Sequence, residues 1–439
     1  MSILLGKPAN EFGRPLRPSG RGLDSLRHND HLRLTSAKSE AEVTYSGDAP
    51  LFTVAPTGAG KGVSVIIPTL LSYPGSVVVI DPKGENYAVT SRYRREIGQK
   101  VYKLDPFGVA EGASSSINPF DVFQLDGASV EADAAVIAEM FASGKTGTRE
   151  PFWDISGQAL LSGMIARTST LRSSNDRTIG NMRRVMHSHN FDALVHSWIR
   201  KETASEYVKE ELGAYYNLSE TGTRPSVLGI ANSYLKVFAG PETQASVAAG
   251  GLSLNELIDG DPQSIFLIVP PDKLKSHGSL LRIWVGVLMR ALISRGRRHA
   301  RPQTATLFLL DECAQLGNFP LLESVVTLGR GYGIQAWMFW QDFAQVKSLY
   351  PQESWKSLIN NCEVVQMFGA RNHMVKREFC ELLGIEVEEM SSLVGSEQIL
   401  VMNGGRAIRA AKLNYLSEPS FRDRRDPHPF HDQMRSRTD

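Results

Sequence analysis

The sharpest chemical signal in the sequence is the run Ala55-Pro56-Thr57-Gly58-Ala59-Gly60-Lys61-Gly62, continued by Val63. Glycines at this spacing let successive backbone N–H groups curl around a phosphate, and the lysine reaches its outer oxygens. A helix starting here adds the positive end of its dipole. Pro56, Thr57, Gly58, Ala59, Gly60, Lys61, Gly62 and Val63 are therefore the expected phosphate-binding residues. The run departs twice from the pattern G-x-x-x-x-G-K-S/T. Ala55 replaces the first glycine, and Gly62 stands where a hydroxyl would face Mg2+.

A second signal is Thr306-Leu307-Phe308-Leu309-Leu310-Asp311-Glu312, an apolar strand closed by two acids. At the carboxyl edge of a parallel sheet, Asp311 would hold the shell of Mg2+ and Glu312 would polarise a water for attack on the γ-phosphate of ATP. Gln341, at the end of the run Ile334–Trp340, can sense that phosphate or simply cap its strand. Asp81 ends another strand and belongs to the same edge, with a turn as its main role. One phosphate-loop core per chain leaves half a site, which a neighbouring copy must complete with an arginine. Arg330 and Arg371 are the candidates for such a finger, against the plainer reading of ordinary loop arginines. No N-K-x-D run is present, which argues against a GTPase, and no L-S-G-G-Q run, which argues against a transport-type ABC subunit.

The elements that must position these residues show in the apolar pattern. Leu51–Ala55, Ser76–Ile80, Val101–Leu104, Ser264–Val269, Ala305–Leu310, Ile334–Trp340 and Glu363–Phe368 read as buried strands separated by helices, hence as a parallel sheet. Leu280–Ser294 has a wide apolar face at helical spacing and should pack on that sheet. Residues 124–238 carry helical spacing and no convincing strand, so an all-α domain inserted into an α/β core is expected. The organisation is then 1–45, a polar arm with one edge strand; 46–123 and 239–420, the motor core; 124–238, the insertion; 421–439, a flexible mixed-charge tail.

Composition narrows the class further. The 439 residues are 42% hydrophobic and 22% charged, within the soluble globular range, and 48 Lys plus Arg against 47 Asp plus Glu leave a net charge of +1. Any nucleic-acid contact must come from local basic clusters, not from a whole-surface field. Three scattered cysteines suit neither a disulfide framework nor zinc, and indicate a reducing compartment. His187, His189 and His196 lack ligand partners at useful spacing. The uncharged stretch Gly62 to Ile80 is broken by Pro68, Pro74 and Gly75, so it reads as a buried helix and strand, not as a membrane span. No signal peptide is read at the start, and the expected location is the cytoplasm, at most peripheral at the inner membrane.

Taken together, these motifs resemble the TraG-type conjugative coupling proteins, the ATPases of type IV secretion. The resemblance rests on Ala55–Gly62, Ile67-Pro68-Thr69-Leu70-Leu71, Tyr73-Pro74-Gly75-Ser76-Val77-Val78-Val79 and Asp81-Pro82-Lys83-Gly84-Glu85-Asn86. Leu310-Asp311-Glu312, Leu328-Gly329-Arg330-Gly331-Tyr332-Gly333-Ile334 and Gln341-Asp342 fit it as well. Members of this branch commonly carry glycine at the position of Gly62. The resemblance implies a RecA-like, hexameric ATP- and Mg2+-dependent motor. Its expected partners are DNA, relaxase-type proteins and type IV secretion components. Family members typically begin with two transmembrane helices, which this sequence lacks, so a monomer is expected when the protein is dilute and a ring on assembly. The alternatives are a nucleotide-dependent adaptor that recruits substrates without pumping, and a DNA motor outside secretion.

Overall fold

The computed structural model describes residues 2–8, 32–37, 40–142, 151–201, 205–369, 372–402 and 407–430. Uncharged runs such as Val77-Val78-Val79-Ile80 are buried along their whole length and form inner strands of one sheet, twelve-stranded among the described residues. Its strands are β1 (Ile3–Pro8), β2 (Leu32–Ala37), β3 (Glu40–Tyr45), β4 (Leu51–Val54), β5 (Val77–Ile80), β6 (Lys100–Leu104), β7 (Gln263–Leu267), β8 (Thr306–Leu310), β9 (Ile334–Trp340), β10 (Val364–Met367), β11 (Glu397–Met402) and β12 (Ala407–Ala411). Their order is β2-β3-β1-β12-β11-β10-β4-β9-β8-β5-β7-β6. From β10 to β6 every pairing is parallel, as crossover helices require, and from β2 to β10 every pairing is antiparallel.

Helices cover both faces. One face packs on α11 (Pro271–Ser294), whose Leu280, Leu281, Ile283, Trp284, Val287 and Leu288 are fully buried. The other packs on α1 (Ile67–Ser72), where Leu70 meets Val77, Leu307 and Trp337. Trp337, Phe339 and Trp340 are core residues, and the Trp337 indole N–H donates to Thr53 Oγ1 at 2.8 Å. Among the described residues no helix is long and apolar enough to cross a membrane.

Between 124 and 238 the described residues form helices and no strand: α3 (Val130–Ala142), α4 (Pro151–Ser169), α5 (Ile179–Met186), α6 (Phe191–Ile199), α7 (Glu206–Tyr216) and α8 (Thr223–Tyr234). Two short helices, α9 (Pro241–Ala245) and α10 (Leu254–Asp259), lead from them to β7. Of the insertion helices, α3 belongs to the layer under the sheet. Arg290 on α11 donates to Asp133 at 2.5 and 3.0 Å, and Arg282 Nε donates to the Met140 carbonyl at 2.8 Å. A boundary at residue 124 therefore cuts through one packed layer.

Two expectations about the chain ends need correction. The described residues within 1–45 form three strands, not one. In β3 the alternation Glu42-Val43-Thr44-Tyr45 turns Val43 and Tyr45 into a cluster with Ile3 and Leu5. The polar partners of that alternation concealed the pattern. The segment from 421 to 430 is docked, not loose. Phe421 is buried against Ile67, Leu71 and Val89, and Asp426 pairs with Arg92 at 2.6 Å on α2 (Glu85–Glu96). The tail beyond 430 lies outside the described residues.

Candidate active site

Sheet order sets the carboxyl ends of β4, β9, β8 and β5 side by side, where ligands of open α/β sheets bind. The chain leaves β4 through Ala55, whose N–H still donates to Trp340 O at 2.9 Å. It then turns sharply, with Gly58 and Gly60 at φ +78° and +88°, a region closed to most side chains. The helix after the loop opens with a wide turn over Gly62–Ile66 before α1, a π-type irregularity common at functional sites.

Lys61, at the start of that helix, is the hub. Its ammonium lies 2.7 Å from Asp311 Oδ1 and 2.6 Å from Glu312 Oε1, beyond the end of β8. Burial works against the lysine's charge, but the two carboxylates outweigh it and hold its pKa above the usual value. Burial likewise raises the pKa of Asp311, moderated by Lys61. The second oxygen of Glu312 accepts from Gln341 Nε2 at 2.8 Å, so one carboxylate links the phosphate lysine to the end of β9. Glu312 has φ 57° and ψ 50°, a left-handed backbone that costs a non-glycine residue on the order of 1–2 kcal/mol. Such strain persists where the surrounding contacts impose it, here on a residue bonded from both sides.

Next along the edge, Asp81 is fully buried. It accepts from the backbone N–H of Tyr87 at 2.9 Å and of Asn86 at 3.3 Å, which pins the start of α2. Burial pushes its pKa up to about 7; the backbone donors oppose this, and the charges of Glu85 and Asp311 add to it. Glu85 itself reaches the loop: its Oε1 lies 3.6 Å from where a Cβ on Gly62 would stand. On the outer side of the loop, Lys412 donates to the Ala59 carbonyl at 3.0 Å and lies over the Phe368 ring at 4.6 Å. Thr57, Ala59, Phe368, Lys376, Leu393 and Lys412 line a cavity of about 270 Å³ there.

The sheet thus gathers Pro56–Val63, Lys61, Asp311, Glu312 and Gln341 at one edge, with Asp81 beside them. Arg330 is not among them. It precedes β9 at the opposite edge, where its Nε lies 2.5 Å from Asp48 Oδ1 and Arg301 shares the same carboxylate. Arg371 lies outside the described residues. The histidines noted above serve locally: His187 contacts the Arg183 carbonyl of its own helix, and His196 stacks on Tyr216. Sequence reasoning missed Glu85, Lys412 and Phe368. For Lys412 a signal existed, since Asn403-Gly404 between two apolar runs is a strong hairpin cue.

The donor set suits a nucleotide with a hard cation. Mg2+ takes one or two carboxylates and completes its shell with phosphate oxygens and water. Asp311 supplies such a carboxylate. Glu312 and Glu85 raise its pKa further, an excess of negative charge that a cation would relieve. No cluster of three or more His, Cys, Asp or Glu side chains forms a self-sufficient metal site among the described residues.

Fold and site together define the class: an α/β, RecA-like P-loop fold built on a large, mainly parallel sheet. Residues 37–385 match the family described as "Type IV secretory system Conjugative DNA transfer", and the chain belongs to that family. The conjugal transfer protein TraG of Escherichia coli is 28% identical over 358 residues, covering 77% of this chain and 56% of TraG. The protein VirD4 of Agrobacterium fabrum is 28% identical over 336 residues, covering 74% of this chain and 48% of VirD4. This chain therefore spans about half the length of those relatives. Among solved structures, the conjugative coupling protein TrwBdeltaN70 superposes with a TM-score of 0.66 at 14% identity, covering 95% of this chain and 99% of that one. TrwB in complex with the ATP analogue ADPNP superposes with a TM-score of 0.62 at 17% identity, covering 85% and 87%. At such identities these likenesses speak to fold.

Proposed function

We propose that this chain is an ATP-hydrolysing motor that translocates DNA or nucleoprotein in conjugative type IV secretion. The observation that carries the reading is the contact chain Lys61–Glu312–Gln341, with Asp311 on the same ammonium. The backbone of Pro56–Val63 cradles the phosphates of ATP, and Lys61 turns from the two carboxylates to the outer phosphate oxygens. Glu312, released from Lys61, orients and polarises the attacking water. Gln341 follows Glu312 through their hydrogen bond and carries the change to the end of β9. Asp311 would hold the shell of Mg2+, which would supply positive charge to offset that of the phosphate oxygens.

Arg330 is assigned to the site of a neighbouring copy, within a homo-hexamer that assembles from monomers as concentration rises. The partners are DNA, relaxase-type proteins and secretion components, met on the cytoplasmic side of the inner membrane. Support comes from the family match and from the TraG and VirD4 relatives.

The test is ATP turnover with and without single- and double-stranded DNA. Turnover should rise with DNA. Lys61→Ala should abolish it and weaken nucleotide binding. Glu312→Gln should lower it by about 10²–10⁴-fold yet keep, or tighten, ATP binding, because it also removes a competitor for Lys61. Near-normal turnover in either variant would sink the assignment, and nucleotide binding without turnover in the native chain would favour an adaptor.

A further inference from the structure

Gly62 leaves a specific gap. A serine or threonine there would turn a hydroxyl toward the cation that accompanies the nucleotide, and glycine has none. The space is occupied from another element. Glu85, the first residue of α2, brings Oε1 to 3.6 Å from the position a Cβ on Gly62 would take. This placement is built, not incidental. Gly84, at φ +66°, turns the chain into α2, and buried Asp81 fixes the start of that helix through Asn86 and Tyr87. The other oxygen of Glu85 lies 3.4 Å from Nε2 of His428, a residue only 2% exposed.

His428 belongs to the docked C-terminal segment. Asp426 ties that segment to α2 twice, through Arg92 at 2.6 Å and through its own N–H on the Val89 carbonyl at 2.9 Å. Phe421 anchors it on Ile67 and Leu71, one turn beyond the phosphate loop. The chain's last described residues thus reach the same carboxylate that flanks Gly62.

We propose that Glu85 supplies the oxygen that Gly62 lacks, facing the cation beside Asp311, and that residues 421–430 hold it in position through His428. Glu85 is then a cation-holding residue and His428 a positioning residue, so the end of the chain becomes part of the nucleotide site. The assignment rests on the nucleotide-hydrolase reading and deepens it.

The experiment is titration of the full chain with a fluorescent ATP analogue, in Mg2+ and in EDTA. In the native chain Mg2+ should strengthen binding. Glu85→Gln should lose about tenfold of that Mg2+-dependent gain, the scale on which residues supporting a metal act, with affinity in EDTA unchanged. Gly62→Ser should restore the gain in the Glu85→Gln background. A Cβ at Gly62 would meet only Glu85 Oε1, at ordinary contact distance, so serine fits. His428→Ala should give a smaller loss of the same kind. If Glu85→Gln folds poorly, Glu85→Asp, which withdraws the carboxylate by one methylene, decides the matter by the same Mg2+-dependent loss. A full Mg2+ gain in the Glu85 variants, or equal loss with and without Mg2+, would overturn the proposal and leave Glu85 a helix-start residue. A native chain that binds no nucleotide under either condition would overturn the hydrolase reading itself.

Discussion

The two edges of the sheet carry charge in opposite ways. At the carboxyl edge, Lys61, Asp311 and Glu312 keep only 19%, 14% and 20% of their side-chain surface exposed, and each contacts another. At the amino edge, Arg330 is 55% exposed and shares Asp48 with Arg301. The same strands serve both: β4 runs from near Asp48 to the phosphate loop, and β9 runs from near Arg330 to Gln341. Buried charges are costly to separate without a replacement partner, so the carboxyl edge stays assembled until a ligand supplies one. Only Arg330 is exposed in its pair, Asp48 keeping 24% of its side-chain surface; a pair open to water on one side contributes less and breaks more cheaply, which suits a group that must change partners. β9 has seven residues and spans roughly 23 Å at about 3.3 Å per residue, so Arg330 cannot reach the site of its own chain.

The largest effect that would break this comparison concerns Arg330. If the amino edge completes a neighbour's site, Arg330→Ala should lower turnover by about 10³–10⁵-fold while leaving ATP binding intact. Mixing Arg330→Ala with Lys61→Ala subunits should restore part of the activity, since an intact lysine from one copy then meets an intact arginine from the other. Specific activity of the native chain should rise with protein concentration, because nucleotide or DNA that prefers the ring stabilises it. Activity that stays flat on dilution of a proven monomer would remove the half-site argument.

A middle-sized effect separates fully buried Asp81 from partly buried Asp48. Asp81 is held at about 7 in the fold, against roughly 3.9 in the unfolded chain, so between those values the folded state binds the extra proton. Its contribution to stability is therefore greatest below about pH 4, falls as pH rises toward 7, and is level above. Asp81→Asn should flatten that fall. The melting temperature of the variant relative to the native chain should be higher at pH 8 than at pH 5. The reverse order would mean that the native carboxylate is charged and satisfied by the Asn86 and Tyr87 backbone donors.

How much of this was legible in the sequence differs between the edges for a physical reason. The phosphate loop, Asp311-Glu312 and Gln341 are each written within a few residues, as a buried strand and the turn at its carboxyl end. A parallel sheet then brings strand ends together whatever the loops do. The link between Lys61 and Glu312 crosses 251 positions of sequence, yet it is expected once both residues sit at one edge. Glu85, Lys412 and His428 are different. The cue at Asn403-Gly404 announces the β11–β12 pair but not that Lys412 beyond it meets Ala59; the turn at Gly84 starts α2 but does not say which loop Glu85 faces; and His428 rides on the 421–430 segment, whose docking on α2 no local pattern encodes. The strands β1 to β3 were hidden because their alternation is diluted by polar residues, as in Glu42-Val43-Thr44-Tyr45. Motifs report what a residue can do, and only long-range packing reports which residues join it.

The smallest effect tests the amino edge directly. Asp48→Asn removes the carboxylate that holds Arg330 and Arg301. Because Arg330 is more than half exposed, the change in folding free energy should stay below about 1 kcal/mol. The same figure limits the functional gain. If leaving Asp48 is part of Arg330's path to a neighbour, removing that cost can raise turnover at fixed protein concentration by no more than about fivefold, the equivalent of 1 kcal/mol. Salt should imitate the substitution. At about 1 M the screening length falls to about 3 Å, so the native chain and the variant should converge in stability. At the carboxyl edge, by contrast, Lys61 and its acids are shielded from bulk ions and should respond weakly to the same salt. A loss of several kcal/mol on Asp48→Asn would show that the amino edge is as structurally committed as the carboxyl edge. Arg330 would then be a fold residue, and the finger would have to be sought among other arginines.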